Sequence, residues 1–501
     1  MSGKGLGQTQ AVRGGIGMTR ARAGKKPVFQ NRTAGKIIRS ATVPNKGFSL
    51  QELILIGVGG IIGAGFFLGS GLPIQTAGPA VLISFVIGGL LTAQVTGALT
   101  TLAIQHPVEG SFKVFAELYL GKFAGYMQGW VYYIASVLTI ASEAVAMGVF
   151  TRVWLPTLPL WVPTLTYSIL ILAINAFGVK SFGAIESLMS LVKIAALTGF
   201  ILFVALFLLS GGSPVSTPGL TTHTTTMASA PLHGFFPHGF SGVLQAMLVV
   251  VFAYAGIGVF ATAAAEVDRP RTIQQGALWT LIILSLLYLL SIGSLLLIQP
   301  WYTVSTTVSP FVLALQHQRW PLLAQALNAV ILVASFSVMA GSVFSANQIL
   351  TNLAQSGEAP HRIAHVSRQG LSYGALAFTA IGIGVVVLAS FLLPGRIYDL
   401  LISATGFLSF FYWFGILWTF LRWRNTAEGR QTKASILAFA APYGSILTMG
   451  VLLAVTGYAL IQPQQRTAFY GFVVLVFLLA ASYLWVKKNA SPATNSTPDS
   501  P

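Results

Sequence analysis

Two ionisable side chains, Glu143 and Lys193, lie inside apolar stretches of the sequence. An ionisable group at membrane depth is costly and usually faces a cavity or a partner. At such depth Lys193 would either release its proton readily or stand as a fixed cation. Because of their depth, both Lys193 and Glu143 are candidates for proton coupling. The alternatives are a helix-to-helix hydrogen bond for Glu143 and snorkelling of Lys193 to the interface. Glu186 precedes Lys193 by seven residues on nearly the same helix face, about 10 Å away along the axis and too far for direct contact.

A second kind of chemistry depends on the backbone of a glycine-rich run, LILIGVGGIIGAGFFLGSG at residues 53–71. Seven of its nineteen residues are glycine, and each costs about 1 kcal/mol relative to alanine inside a helix. Within a bilayer so weak a helix is tolerated only where its free backbone groups line a protein cavity, which predicts a break at residues 63–65. The amides that begin the second half-helix carry partial positive charge and can hold a carboxylate.

A similar break is predicted five apolar segments later, in GVLQAMLVVVFAYAGIGVFATAAAEV at residues 242–267. Gly256 and Gly258 weaken this helix, and its first half would end near Phe252 with free carbonyls that can accept hydrogen bonds from an ammonium group. One anion-binding end and one cation-binding end match a zwitterion such as an α-amino acid. The recurrence predicts inverted repeats, each of five helices.

Other interpretations of these residues stay open. Gly57-Val58-Gly59 resembles part of a dinucleotide fingerprint but lacks the βαβ unit that this fingerprint requires. The glycines could also serve only close helix packing, since several are spaced four residues apart. His223, His233 and His238 have spacings that fit no compact metal site.

The composition indicates an all-α integral membrane protein. The chain has 501 residues, of which 54% are hydrophobic and 8% charged, against about a quarter charged in soluble domains. Apolar runs of spanning length predict twelve transmembrane helices, at 52–72, 79–104, 124–150, 161–178, 186–210, 240–265, 276–299, 322–350, 371–393, 398–421, 436–461 and 468–486.

The charge distribution predicts the topology. Placing both termini in the cytoplasm puts 23 of the 28 Lys and Arg residues inside, as the positive-inside rule requires. The net charge of +17 therefore reports topology, and no nucleic-acid partner is expected. Residues 1–47 and 488–501 are predicted to be disordered cytoplasmic tails. Between them we expect a transporter core at 48–425, with repeats at about 50–211 and 239–425. Two further helices are expected at 436–487. The chain has no cysteine, so disulfides and thiol metal sites are excluded.

An ordered set of segments resembles the bacterial amino acid permeases of the amino acid, polyamine and organocation superfamily. The similarity runs through residues 45–425, and its segments are GGIIGAGFFLGSG, AGPAVLISFVIGG, PVEGSF, LGKFAGYMQGWVYY, FGAIESLMSLVKIA, GFSGVLQAMLVVVFAYAG, AAAEVDRPRTI and LAQSGEAP. The resemblance implies a five-plus-five inverted repeat with discontinuous helices 1 and 6, alternating access, and proton-driven amino acid uptake.

The resemblance also implies roles for particular residues. The substrate carboxylate would meet Ile61, Gly63, Ala64 and Gly65. The amino group and side chain would meet Phe252, Ala253, Ala255 and Gly256. Lys193 would occupy the place where related transporters hold sodium.

Three departures from the family pattern affect these expectations. Gly258 replaces a frequent glutamate, Thr100-Thr101-Leu102 replaces Gly-Glu-Met, and Met339-Ala340 replaces Asn-Ser. Without the glutamate the pocket has less to attract a cationic side chain, which favours a neutral or apolar amino acid.

The sequence thus predicts an inner-membrane secondary transporter, a monomer or homodimer, that imports an amino acid with protons and needs no cofactor or metal. An amino acid exchanger without net proton movement is the nearest alternative, and a sensor that binds without transport is another. An enzyme is disfavoured because the seven histidines and eleven acids are scattered.

Overall fold

The described part of the chain is helical throughout, with short connections and no β-strand. The structure is a computed structural model that describes residues 48–106, 111–176, 182–212, 234–264, 267, 269–367, 370–393 and 396–489. The predicted tail at 1–47 and residues 490–501 of the predicted tail at 488–501 lie outside the described residues, whereas Lys488 and Asn489 end the last helix. Most of the loop with His223 and His233 and the acidic residues of the 266–268 segment also lie outside the described residues.

The first half of the chain begins with a short helix, a break and two more short helices, followed by longer ones. The α-helices are α1 (Leu50–Gly59), α2 (Ala64–Phe67), α3 (Gly71–Ala77), α4 (Val81–Gln105), α5 (Ser111–Leu120), α6 (Lys122–Thr151), α7 (Trp161–Ala176) and α8 (Phe182–Leu209).

The second half again begins with a helix that is interrupted. Its α-helices are α9 (Gly239–Tyr254), α10 (Ile257–Ala264), α11 (Pro270–Ile298), α12 (Pro310–His317), α13 (Pro321–Gln355), α14 (Tyr373–Leu392), α15 (Ile397–Arg424), α16 (Ala427–Gln431), α17 (Tyr443–Ala459) and α18 (Pro463–Asn489).

Nine helical segments among the described residues are long and apolar enough to cross a membrane. Three shorter apolar helices, α1, α7 and α17, accompany them. Every predicted apolar run contains helix. The all-helical fold is therefore confirmed, whereas the count of twelve crossings and the inverted repeat stay predictions.

The predicted run 436–461 is the one whose helix begins markedly later, at Tyr443. The preceding residues pack against α4 instead: the Gln94 side chain donates to the Phe439 carbonyl over 2.5 Å, and the Thr101 hydroxyl accepts from the Ser435 amide over 2.9 Å. Thr101 stands where the family pattern has a glutamate, and here its hydroxyl anchors a backbone segment. Pro442 lacks an amide hydrogen and stands immediately before the helix, where that loss costs least.

A buried ion pair joins the connector helix α5 to the loop after α13. The Lys113 side chain is fully buried, and its Nζ lies 2.8 Å from a Glu358 carboxylate oxygen and 3.3 Å from Glu117. Nζ also donates to the Ser356 hydroxyl over 2.9 Å. Burial raises the pKa of the Glu358 carboxyl, and the charge of Lys113 opposes that shift. The pair ties α5 to the loop after α13.

Candidate functional site

Both glycine-rich runs are interrupted, but the first break lies at residues 60–63 and not at the predicted 63–65, and in the second run only Gly256 of the two predicted glycines lies in the break. Helix α1 starts with a capping box, in which Ser49 and Glu52 bond each other's backbone amides, and it ends at Gly59. Residues 60–63 are not α-helical, and α2 begins at Ala64. The second break separates α9 from α10 at Ala255 and Gly256.

The breaks touch each other through bare backbone. A Cβ atom added at Gly256 would lie 2.8 Å from the carbonyl carbon of Gly60 and 2.9 Å from Cα of Ile61. On the neighbouring surface, a Cβ at Gly65 would lie 2.7 Å from the Phe252 ring. The glycines therefore let the two interrupted helices approach more closely than a side chain would allow. Close packing and helix interruption, which were alternative interpretations of these glycines, occur together here.

A cavity of about 40 Å³ lies where the breaks meet, room for about three water molecules. Six residues predicted to bind substrate or proton line it: Ile61, Gly65, Glu143, Phe252, Ala255 and Gly256. The other lining residues are mostly apolar or carry hydroxyls: Gly60, Tyr132, Ala135, Ser136, Thr139, Val259, Val338, Ser342, Thr405 and Ser409. Glu143 is the only carboxylic acid among the lining residues, which include no Lys, Arg or His.

Glu143 occupies the amide end that was predicted to hold the substrate carboxylate. Its Oε2 accepts a hydrogen bond from the Ala64 amide over 2.9 Å, and the side chain is buried. A Cβ at Gly63 would lie 2.5 Å from Glu143 Oε1. The carbonyl of Ala64 accepts from the Tyr398 hydroxyl over 2.9 Å. The Ala64 amide thus holds a carboxylate that comes from α6, and Gly63 packs beside it. Neither Gly63 nor Ala64 lines the cavity.

The carbonyl end of the second break is held by two tyrosines. The Tyr288 hydroxyl donates to the Ala253 carbonyl over 2.9 Å, and the Tyr412 hydroxyl donates to the Ala255 carbonyl over 3.0 Å. Ala253 does not line the cavity, whereas Ala255 does. Sequence reasoning did not identify either tyrosine, because each lies on a distant helix and no spacing relates it to the break.

Lys193 is completely buried and binds the end of α1. Its Nζ donates to the Gly59 carbonyl over 2.5 Å and to the Ser337 hydroxyl over 2.8 Å. The snorkelling alternative is therefore wrong for this structure. Lys193 lies outside the cavity lining and ties three helices, α1, α8 and α13, together at the first break.

Tyr132 fills the space beside Gly258. Its ring contacts Phe112 and Tyr412, with centroids 4.7 Å and 5.3 Å away. A Cβ at Gly258 would lie 2.5 Å from Tyr132 Cζ. A glutamate side chain at position 258 would have no room unless Tyr132 moved. The glycine at this position is therefore what allows Tyr132 to pack here.

Among the described residues, no group of three or more His, Asp or Glu side chains could hold a metal ion. His238 instead lies beside the Thr76 carbonyl, with Nδ1 3.0 Å from the oxygen.

Comparison with known proteins decides the family. The model of the family described as "Amino acid permease" matches residues 52–493. The chain belongs to the amino acid permease family.

Relatives of this permease include two named for aromatic amino acids. The aromatic amino acid transport protein AroP of Escherichia coli K12 is 30% identical over 89% of this chain and 96% of its own length. AroP of Salmonella typhimurium SL1344 is 30% identical over the same shares. The uncharacterized amino acid permease YtnA of Bacillus subtilis 168 is 32% identical over 90% of this chain and 97% of its own. The permease is thus a multi-pass membrane protein of amino acid transport and not an enzyme.

Proposed function

We propose that this permease imports a neutral amino acid with an apolar side chain across the cytoplasmic membrane, coupled to protons through Lys193 and Glu143. Both termini lie in the cytoplasm in this proposal, as the distribution of Lys and Arg predicts. The observation that carries the proposal is the contact between two interrupted helices, whose residues Ile61, Gly65, Phe252, Ala255 and Gly256 line one small cavity.

The cavity lining supports a neutral side chain. No Lys, Arg, Asp or His lines it, and Tyr132 fills the space where a glutamate at position 258 would point. Aromatic amino acids are the first substrates to test, because two of the relatives above are named for their transport. The cavity is smaller than such a side chain, so Phe252, whose ring covers Gly65, must swing away when substrate enters.

Glu143 links substrate binding to a proton. The substrate carboxylate and the Glu143 carboxylate compete for the Ala64 amide, and two carboxylates at one amide repel each other. Protonation of Glu143 weakens its hold on the amide and removes the repulsion. Substrate and proton therefore bind together, which is the requirement for symport.

Transport by purified protein in liposomes tests the proposal. We expect an inward pH gradient, acid outside, to drive accumulation of phenylalanine, and Lys193→Ala and Glu143→Gln to abolish this accumulation. The matched control Lys487→Ala removes an exposed lysine at the end of α18 and should behave as the parent.

Two results would count against the proposal. Counterflow of amino acid with no response to a pH gradient would identify an exchanger. Binding in a thermal-shift panel of twenty amino acids, without flux of any of them, would identify a sensor.

A further inference from the structure

Glu186 is a buried acid that the proposed mechanism does not use. It lies two turns before Lys193 on α8, and its side chain is buried. Among the described residues its Oε2 has no hydrogen-bond partner. An isolated carboxylate oxygen without a partner is expensive to bury, whereas a carboxylic acid is tolerated there far better. The position thus suits a group that takes up a proton.

A single serine connects Glu186 to Lys193. Ser337 of α13 is fully buried, accepts from Lys193 Nζ over 2.8 Å and donates to Glu186 Oε1 over 2.5 Å. The two ionisable groups are too far apart along α8 for direct contact, and the hydroxyl spans the gap. A serine hydroxyl can donate and accept at once, which is what a proton relay requires.

We propose that Ser337 relays a proton between Lys193 and Glu186, so that Glu186 exchanges the coupling proton of Lys193. This inference rests on the proposed function. Lys193 Nζ gives one proton to Ser337 Oγ while the hydroxyl proton of Ser337 passes to Glu186 Oε1. The ammonium and the carboxylate become an amine and a carboxylic acid, and the serine keeps one O–H bond.

The transfer changes the hold of Lys193 on the first break. A charged donor forms a stronger hydrogen bond than a neutral one, so the amine binds the Gly59 carbonyl more weakly than the ammonium does. The Glu186 carboxylate lies against the same residue, because a Cβ at Gly59 would collide with Glu186 Oε1 and with Ser190. One proton step therefore loosens α1 at the point where it is interrupted.

The electrostatic surroundings of this pair are simple. Ser190 bonds the Glu186 carbonyl of its own helix over 2.6 Å and is not in the relay. The main charges that act on Glu186 and Lys193 from the described residues are each other's, and Glu143 on α6 also acts on Lys193. The charge of Lys193 therefore acts on two acids: Glu143, which lines the cavity, and Glu186, which does not.

The test compares two fluxes of phenylalanine in liposomes that contain the full chain: accumulation driven by a pH gradient, and counterflow at equal pH. Ser337→Ala removes the relay hydroxyl, Ser337→Thr keeps a hydroxyl, and Glu186→Gln keeps an acceptor that takes no proton. The matched control is Ser291→Ala on α11, since Ser291 is equally buried and bonds only its own helix. Thermal unfolding shows whether each variant is folded.

We expect Ser337→Ala and Glu186→Gln to lower pH-driven accumulation at least about tenfold and to lower counterflow much less. Ser337→Thr should retain most of the pH-driven flux, and Ser291→Ala all of it. If Ser337→Ala shows the same pH-driven flux as the parent protein, the relay is overturned and the proposed function is not. If Ser337→Ala does not fold, the same result for Glu186→Gln overturns the relay. A parent protein that ignores the pH gradient overturns the proposed function, and the relay with it.

Discussion

The contact between the two breaks leads to a quantitative prediction for Gly256→Ala. The added methyl group would lie 2.8 Å from the Gly60 carbonyl carbon and 2.9 Å from Ile61 Cα. Carbon atoms pack at about 3.5–4.0 Å, so the breaks must separate by about 1 Å. Both obstacles are backbone atoms, which cannot turn aside as a side chain can.

The cost follows from two opposing effects. Forcing an extra methyl into a packed interior costs about 1–3 kcal/mol. Replacing glycine stabilises by about 0.4–1 kcal/mol through the unfolded chain. The net effect is a loss of about 1–2 kcal/mol of stabilising free energy. If the separation of the breaks mainly distorts the cavity, substrate binding loses this free energy and KM rises roughly five- to thirtyfold.

The assay is amino acid uptake together with thermal unfolding in detergent at one scan rate, because membrane proteins unfold irreversibly. Gly293→Ala on α11 is the matched control, since no described atom outside its chain neighbours and the backbone of its own helix lies within 4 Å of the added Cβ. We expect a lower unfolding temperature and a higher KM for Gly256→Ala only. Parental values of both quantities for Gly256→Ala would show that the breaks do not meet as described.

Three further predictions concern other contacts. Gly258→Glu should abolish transport, and adding Tyr132→Ala should restore part of it by making room, as uptake assays would show. Lys113→Met leaves Glu358 without its cation and should lower stability by about 3 kcal/mol, and the double variant with Glu358→Gln should unfold at a higher temperature than Lys113→Met alone. Ser49→Ala removes the α1 cap and should cost about 1 kcal/mol, measured as a drop in the unfolding temperature with unchanged KM.

The helices and their interruptions could be predicted from the sequence because their causes are local. A run of apolar residues without charge can exist within a bilayer only as helix, whatever its neighbours are. Glycine weakens a helix at its own position, so composition placed both breaks to within about one turn: the first, predicted at 63–65, lies at 60–63, and the second lies at Ala255 and Gly256. Lys193 and Glu143 were identifiable for the same reason, since a charge among apolar residues is visible in the chain itself.

Local signals did not reveal what fills the spaces between helices. Glu143 caps the Ala64 amide from 79 residues away, and Ser337 reaches Lys193 across 144 residues. Whether two such residues meet depends on the rotation of each helix about its axis and on its position along that axis. Both are set by packing over the whole helix bundle.

The sequence alone therefore determined the helical membrane class, the approximate positions of the two breaks and the buried charges. Tertiary structure decided that a carboxylate of the protein occupies the anion end, that tyrosines hold the carbonyl end, and that a serine joins Lys193 to Glu186. The physical reason is range. Backbone propensity and burial of charge act within one helix, whereas partners of backbone groups are set by the packing of helices remote in sequence.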